Sequence, residues 1–208
     1  MTLLQLAQLV ALVLALTLHE FAHALMGLYL GDTTAKDRGR LTLNPLAHID
    51  PIATLALPLL LILVHSPIVF AAAKPVPFNP WAVRGGRWGA ALVAVAGPFT
   101  NLILAIFFAI WARILPLNDV SATFFGALIV VNVGLFVFNM IPFPPLDGSR
   151  LLYAVAPEGL RDVMDRIERS GFVVLMAVML LGYQFVAPIV GTVIIAIVRL
   201  LIPSSGAL

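Results

Sequence analysis

Cysteine is absent from the sequence, so disulfides and thiolate metal sites are both excluded, and any metal must be held by imidazole or carboxylate. Charge is scarce as well: 11% of the 208 residues are Asp, Glu, Lys or Arg against 62% hydrophobic, and the mean hydropathy is +1.07. That balance excludes an ordinary soluble domain and implies an integral membrane protein. No polar stretch is long enough for a separate soluble domain, so residues 1–208 read as one membrane domain. The formal charge of +2 comes from basic residues scattered at the edges of apolar runs, where they act as topology signals rather than as a nucleic-acid surface.

What is present is a series of apolar runs long enough to cross about 30 Å of hydrocarbon. The expected architecture is therefore all-α, a polytopic helix bundle of about 4–6 transmembrane segments. Leu3 to Leu30 forms the first helix, stopped at Gly31-Asp32; nothing basic precedes it, and it reads as a retained span rather than a cleaved leader. Gly31 to Pro51 is polar, and its RLTLNPL portion alternates like a short strand. Ile52 to Ala73 is apolar but interrupted by Pro58 and His65-Ser66-Pro67. Further runs extend from Gly89 to Leu115 and from Ser121 to Ile141, the latter ended by the prolines of IPFPPLDG. Pro157 to Ser170 has apolar residues on one helical face and reads as an amphipathic surface helix. Phe172 to Ile202 is the last membrane segment, with Pro188 placed to divide it in two.

The first run contains HEFAH, His19 to His23. On a helix, a spacing of four puts both histidines on one face, close enough to share a metal, while Glu20 lies about 100° round and is free to act as a base. Ionisable groups in mid-membrane cost roughly 2.5–3.5 kcal/mol each on insertion scales, so three within five residues need a compensating use. A metal provides it. Catalytic zinc takes three protein ligands and keeps one position open, so a third ligand must come from elsewhere. His48, His65, Asp50, Asp119, Asp147 and the acids of the amphipathic helix are candidates; Asp147 is favoured because it follows three prolines and precedes a glycine, where the backbone can aim a short carboxylate inward.

Three motifs in order, HEFAH, AGPFTN at Ala96 to Asn101 and NMIPFPPLDG at Asn139 to Gly148, resemble the signature elements of the site-2 protease family of intramembrane zinc metalloproteases. The resemblance covers the first 150 residues as a catalytic core and looks like the short bacterial type without a PDZ domain, to which LNPLAHIDP is also similar. It implies one zinc ion held by His19, His23 and Asp147, Glu20 as general base, and single-pass membrane proteins as substrates. Asn139 matches an asparagine thought to hold the substrate or its developing oxyanion, for which a carboxamide donor is suited. His48 is a weaker candidate for a gate or substrate contact, and Gly97, Pro98 and Asn101 are expected to shape their helix and let it approach the first closely.

Charge tests the topology independently. If every apolar run crossed, the basic residues would divide 7 to 5; if Ile52 to Ala73 dips in and returns, 10 of the 12 fall on one side. The second arrangement also brings the HEFAH end of the first helix to the side of Asp147. The positive-inside rule then directs the site toward the cytoplasm, in what would be a bacterial inner membrane.

The expected function is metal-assisted hydrolysis of peptide bonds in or near transmembrane segments, with RLTLNPL able to hold substrate by β-addition. The alternative is a membrane-embedded metal transporter or scaffold, since intramembrane His and Asp clusters also mark ion pathways. Glu20 discriminates between them, because a transport site has no need of a base that is not a ligand.

Overall fold

The computed structural model describes residues 2–51, 56, 60, 63 and 74–202, and all its regular elements among them are helical. Helix α1 (Leu3–Tyr29) begins with a capping box: the Thr2 hydroxyl accepts from the Gln5 amide at 3.2 Å and the Gln5 side chain accepts from the Thr2 amide at 2.8 Å. It ends where Gly31 takes φ 106° and the Asp32 amide reaches back to Gly27 O at 2.9 Å, a left-handed glycine stop. A four-residue helix α2 (Thr34–Asp37) and a 3-10 turn (Pro45–His48) follow. The chain then builds α3 (Gly86–Ile114), α4 (Asp119–Asn139), the short α5 (Ser149–Val155) and the 44-residue α6 (Glu158–Leu201).

Helices α1, α3 and α4 pack against one another in all three pairings, and α6 lies along α4. The buried stripe of α1 explains the intimacy. Ala7, Ala11 and Ala15 recur every four residues and are buried, and Ala7 and Ala11 cluster with Ala127 of α4. Small residues allow helix backbones to approach closely where lipid supplies no hydrophobic drive for association. Continued by one more step of four, the same stripe arrives at His19, then His23. A second cluster, Ala105 and Ala109 of α3 with Ile129, Val133 and Val137 of α4, receives Val190, Ile194 and Ile197 of α6.

Among the described residues, four helical stretches are long and apolar enough to cross a membrane: Leu3–Tyr29, Gly86–Ile114, Asp119–Asn139 and Gln184–Leu201. Large apolar side chains such as Leu9, Leu14, Ile103 and Phe107 lie exposed on them, as expected of a lipid-facing surface. The chain is thus a helical integral membrane protein.

Three expectations need revision. The RLTLNPL stretch forms no strand: residues 41–43 are bends, and Asn44, whose side chain accepts from the Leu46 amide at 3.1 Å, caps the 3-10 turn started by Pro45. The surface helix at 157–170 and the last membrane run are not separate, because no proline lies between Ser170 and Phe172 and α6 runs through both. Nor does Pro188 divide it; one lost backbone donor is tolerated inside a continuous helix, and the Thr192 hydroxyl donates to Pro188 O at 2.7 Å. Short α5 was not anticipated at all. The run Ile52 to Ala73, with His65 and the expected re-entrant path, lies outside the described residues apart from 56, 60 and 63.

The residues on either side of that run do meet, since the Lys74 amide donates to His48 O at 2.9 Å. Arg84 donates from its side chain to Tyr29 O at 2.5 Å and from its amide to Leu30 O at 2.9 Å. The polar segments 31–51 and 74–85 therefore share the end of the bundle where α1 stops. At the opposite end Arg113 caps α6 by donating to Leu201 O at 2.6 Å.

Candidate metal centre

Three ligand atoms converge at the α1 end of the bundle. The Nε2 atoms of His19 and His23 lie 2.9 Å apart, and Asp147 Oδ2 lies 3.3 Å from the first and 3.4 Å from the second. A tetrahedral ion with bonds of about 2.0–2.1 Å separates its ligands by roughly 3.3–3.4 Å, which both histidine–aspartate distances match, while the two Nε2 atoms stand somewhat closer. All three ligand atoms fall within 4.8 Å of one another.

The protonation pattern makes the same point chemically. His19 Nδ1 donates to Asn101 Oδ1 at 2.6 Å, and His23 Nδ1 donates to Val93 O at 2.8 Å. Both partners can only accept, so each imidazole carries its proton on Nδ1 and turns a bare lone pair on Nε2 toward the other and toward a carboxylate. Three acceptors facing one point without a donor between them call for a cation. Asp147 is held on its side by the turn after α4.

Glycine makes room for this point. A methyl on Gly97 of α3 would fall 2.3 Å from His23 Nε2 and 2.7 Å from His19 Nε2, that is, into the space where the lone pairs meet. Gly97 and its neighbour Pro98 are buried, as the sequence reading expected of a close helix approach. Gly148 is equally constrained, since a methyl there would lie 2.4 Å from Met140 O; its amide donates to Asn139 O at 2.6 Å and closes the turn that presents Asp147.

A polar relay behind His19 was not found from sequence. Asn101 Nδ2 donates to Ala15 O at 3.3 Å and to Asn132 Oδ1 at 3.0 Å, while Asn132 Nδ2 donates to Leu128 O at 2.7 Å. The two main-chain carbonyls can only accept, so they fix the orientation of both amides and hence aim Asn101 Oδ1 at His19. Asn101 and Asn132 are 0% and 1% exposed, so the relay ties α1, α3 and α4 together in a dry interior. The signal available in the sequence was two asparagines, each in the middle of an apolar run.

Glu20 stands beside the cluster, outside the converging set, and is 8% exposed. Its Oε2 accepts from the Val76 amide at 3.0 Å, and no hydrogen bond among the described residues takes Oε1. Asn139 contributes through its main chain; its side-chain amide donates back to Leu135 O at 3.0 Å. His48 is buried and outside the converging set, with Nε2 donating to Thr42 O at 2.9 Å and Nδ1 without a partner among the described residues.

A membrane-embedded helix bundle that brings H-E-x-x-H and a distant carboxylate to one zinc-sized point defines a metallopeptidase of the membrane. Comparison with known proteins agrees. Residues 113–182 match the model of Peptidase family M50. Two curated relatives share the name "Putative zinc metalloprotease": YwhC of Bacillus subtilis strain 168 is 39% identical over 176 residues, 80% of this chain and 77% of that protein. Rip2 of Mycolicibacterium smegmatis is 34% identical over 140 residues, 65% of this chain and 51% of that protein, so the chain spans about half the length of this second relative. No solved structure matches the chain. The chain belongs to peptidase family M50, the site-2 proteases.

Proposed function

We propose that the chain is an intramembrane endopeptidase of the site-2 type, cleaving peptide bonds within or near transmembrane segments of single-pass membrane proteins. The observation that carries the reading is the pairing of a zinc-sized acceptor triangle with a carboxylate that is not part of it, both at the end of a membrane-spanning helix. His19, His23 and Asp147 would hold the zinc named in its relatives, and one coordination position would remain open for chemistry. Zinc, when bound, supplies Lewis acidity that acidifies water toward a pKa of about 7 and polarises a carbonyl.

The chain supplies the rest. Glu20 accepts the proton of the attacking water at Oε1 and returns it to the leaving amine nitrogen, so a single carboxylate serves as base and then as acid. His19 and His23 keep their lone pairs on the site because their Nδ1 protons are committed to Asn101 and Val93. A helical substrate has its carbonyls in internal hydrogen bonds and must unwind locally before attack. The transporter reading loses its main support, because Glu20 is bound to a main-chain amide instead of completing a ligand cage.

The charged end of the bundle supports an orientation. Lys36, Arg38, Arg40, Lys74, Arg84, Arg87 and Arg150 gather where α1 stops, whereas Arg113 and Arg199 belong to the other end, a distribution that supports the reading of a bacterial inner-membrane protein with its site toward the cytoplasm. The test compares membranes containing the intact protein with membranes containing Glu20→Gln. Single-pass proteins should accumulate uncleaved in the variant while its zinc content stays near one ion per chain. Cleavage that persists in Glu20→Gln, or zinc lost with the substitution, would overturn the assignment.

A further inference from the structure

Residues 74–79, KPVPFN, cross the site without belonging to any helix. Lys74, Val76 and Asn79 each precede a proline, which confines them to extended backbone, and Pro75 and Pro77 have no amide hydrogen. The segment is stiff, and Val76 carries its one N–H between Lys74 and Phe78. It is pinned at both ends. At one, the Lys74 amide donates to His48 O at 2.9 Å and Lys74 O accepts from Arg40 at 2.6 Å; at the other, the Asn79 amide donates to Asp32 Oδ2 at 2.8 Å. Between these pins the Val76 amide donates to Glu20 Oε2.

We propose that residues 74–79 form a fixed strap whose Val76 main-chain N–H positions Glu20, so that the carboxylate's second oxygen faces the reacting water. The inference rests on the reading of Glu20 as the base. A glutamate has three side-chain torsions and, unanchored, would sample orientations that carry it away from the metal point. Anchoring one oxygen to a rigid donor removes that freedom before the substrate arrives. The flanking prolines prevent exchange of partners, since neither can offer a competing amide. Asp32, Arg40 and His48 act at one remove by fixing the strap.

Two measurements test this. In residue-resolved hydrogen–deuterium exchange, Glu20→Ala should speed exchange of the Val76 amide by about tenfold or more, while Glu20→Gln, which keeps an acceptor oxygen, leaves it near the native rate. Equal exchange in the native protein and Glu20→Ala overturns the proposal. In turnover, Val76→Pro deletes the N–H and should lower kcat by about tenfold or more with KM and bound zinc unchanged, whereas Val76→Ala, which keeps it, should lower kcat by a distinctly smaller factor. Native kcat in Val76→Pro, or equal impairment by Val76→Ala, overturns the proposal. Should Val76→Pro not fold, the Pro75→Gly/Pro77→Gly double variant decides: a lowered kcat with full zinc supports the strap and a native kcat rejects it. The exchange arm needs no activity. An unprotected Val76 amide in a protein that cleaves its substrate sinks the strap alone; a protected amide in a protein that cleaves no membrane segment sinks the peptidase reading alone.

Discussion

Gly97 of α3 and His23 of α1 are so close that a single added methyl would stand 2.3 Å from the imidazole Nε2. Gly97→Ala is therefore expected to expel the metal rather than merely loosen packing. The backbone of α3 cannot retreat easily, because Ala90, Ala91 and Ala94 on the same helix are buried too. Purified Gly97→Ala should contain little zinc by elemental analysis while keeping native helix content by circular dichroism. A zinc content equal to the native protein's would show that the methyl is accommodated and that the close approach is incidental.

The asparagine relay should be felt as metal affinity. Replacing Asn132 by Leu removes one of the two acceptors of the Asn101 amide, leaving the 3.3 Å bond to Ala15 O alone to keep Nδ2 turned away from the His19 Nδ1 donor. Outer partners of ligating histidines are worth roughly 10–100-fold in metal affinity, and a loss of that order is expected for Asn132→Leu and for Asn101→Leu. The double variant should be little worse than either single one, since both break the same chain. Cobalt titration followed by its visible absorption measures this without catalysis; additive losses would refute the relay.

Asp32 should give a pH-dependent anchor. It is 3% exposed and accepts from the Asn79 amide at 2.8 Å, the Thr34 amide at 3.0 Å and the Thr34 hydroxyl. Burial pushes its carboxyl up, but those donors outweigh burial and hold it below its ordinary value. A carboxyl depressed in the folded state stabilises the fold above its unfolded pKa of about 3.9 and loses that contribution as pH falls through the folded value. Hydrogen bonds to a charged group are each worth about 1.5–3 kcal/mol, so Asp32→Asn should lower Tm clearly at neutral pH. The gap to the native protein should narrow as the solution is acidified below the carboxylate range. A gap independent of pH would mean that charge is not the agent.

The main spans, and the histidine pair that converges with Asp147, were legible because membrane burial exaggerates their signals. An apolar run long enough to cross is unmistakable, and His19, Glu20 and His23 stand out because lipid makes polar groups conspicuous, whereas Asp147 was picked out by the prolines and glycine around it and by the family resemblance. What stayed hidden depended on contacts between distant segments. Asn132 and Val76 act through partners far along the chain, and Val76 acts through its main chain, which no side-chain pattern can announce. The alternation of RLTLNPL was misleading for a local reason: Asn44 and Pro45 favour a capped 3-10 turn over a ladder. Helix α6 misled in the opposite direction, because Pro188 looks like a stop yet sits inside unbroken helix.

The distance in sequence between the two halves of the metal triangle also bears on how the protein is made. His19 and His23 emerge from the ribosome with the first span, but Asp147 follows only after α4 has been inserted. Until then the histidines are an incomplete pair, and Glu20 has no closed triangle beside it. A newborn chain is therefore chemically silent while it shares the insertion machinery with other proteins' unassembled helices. Competence waits for the turn after α4 to reach the first helix.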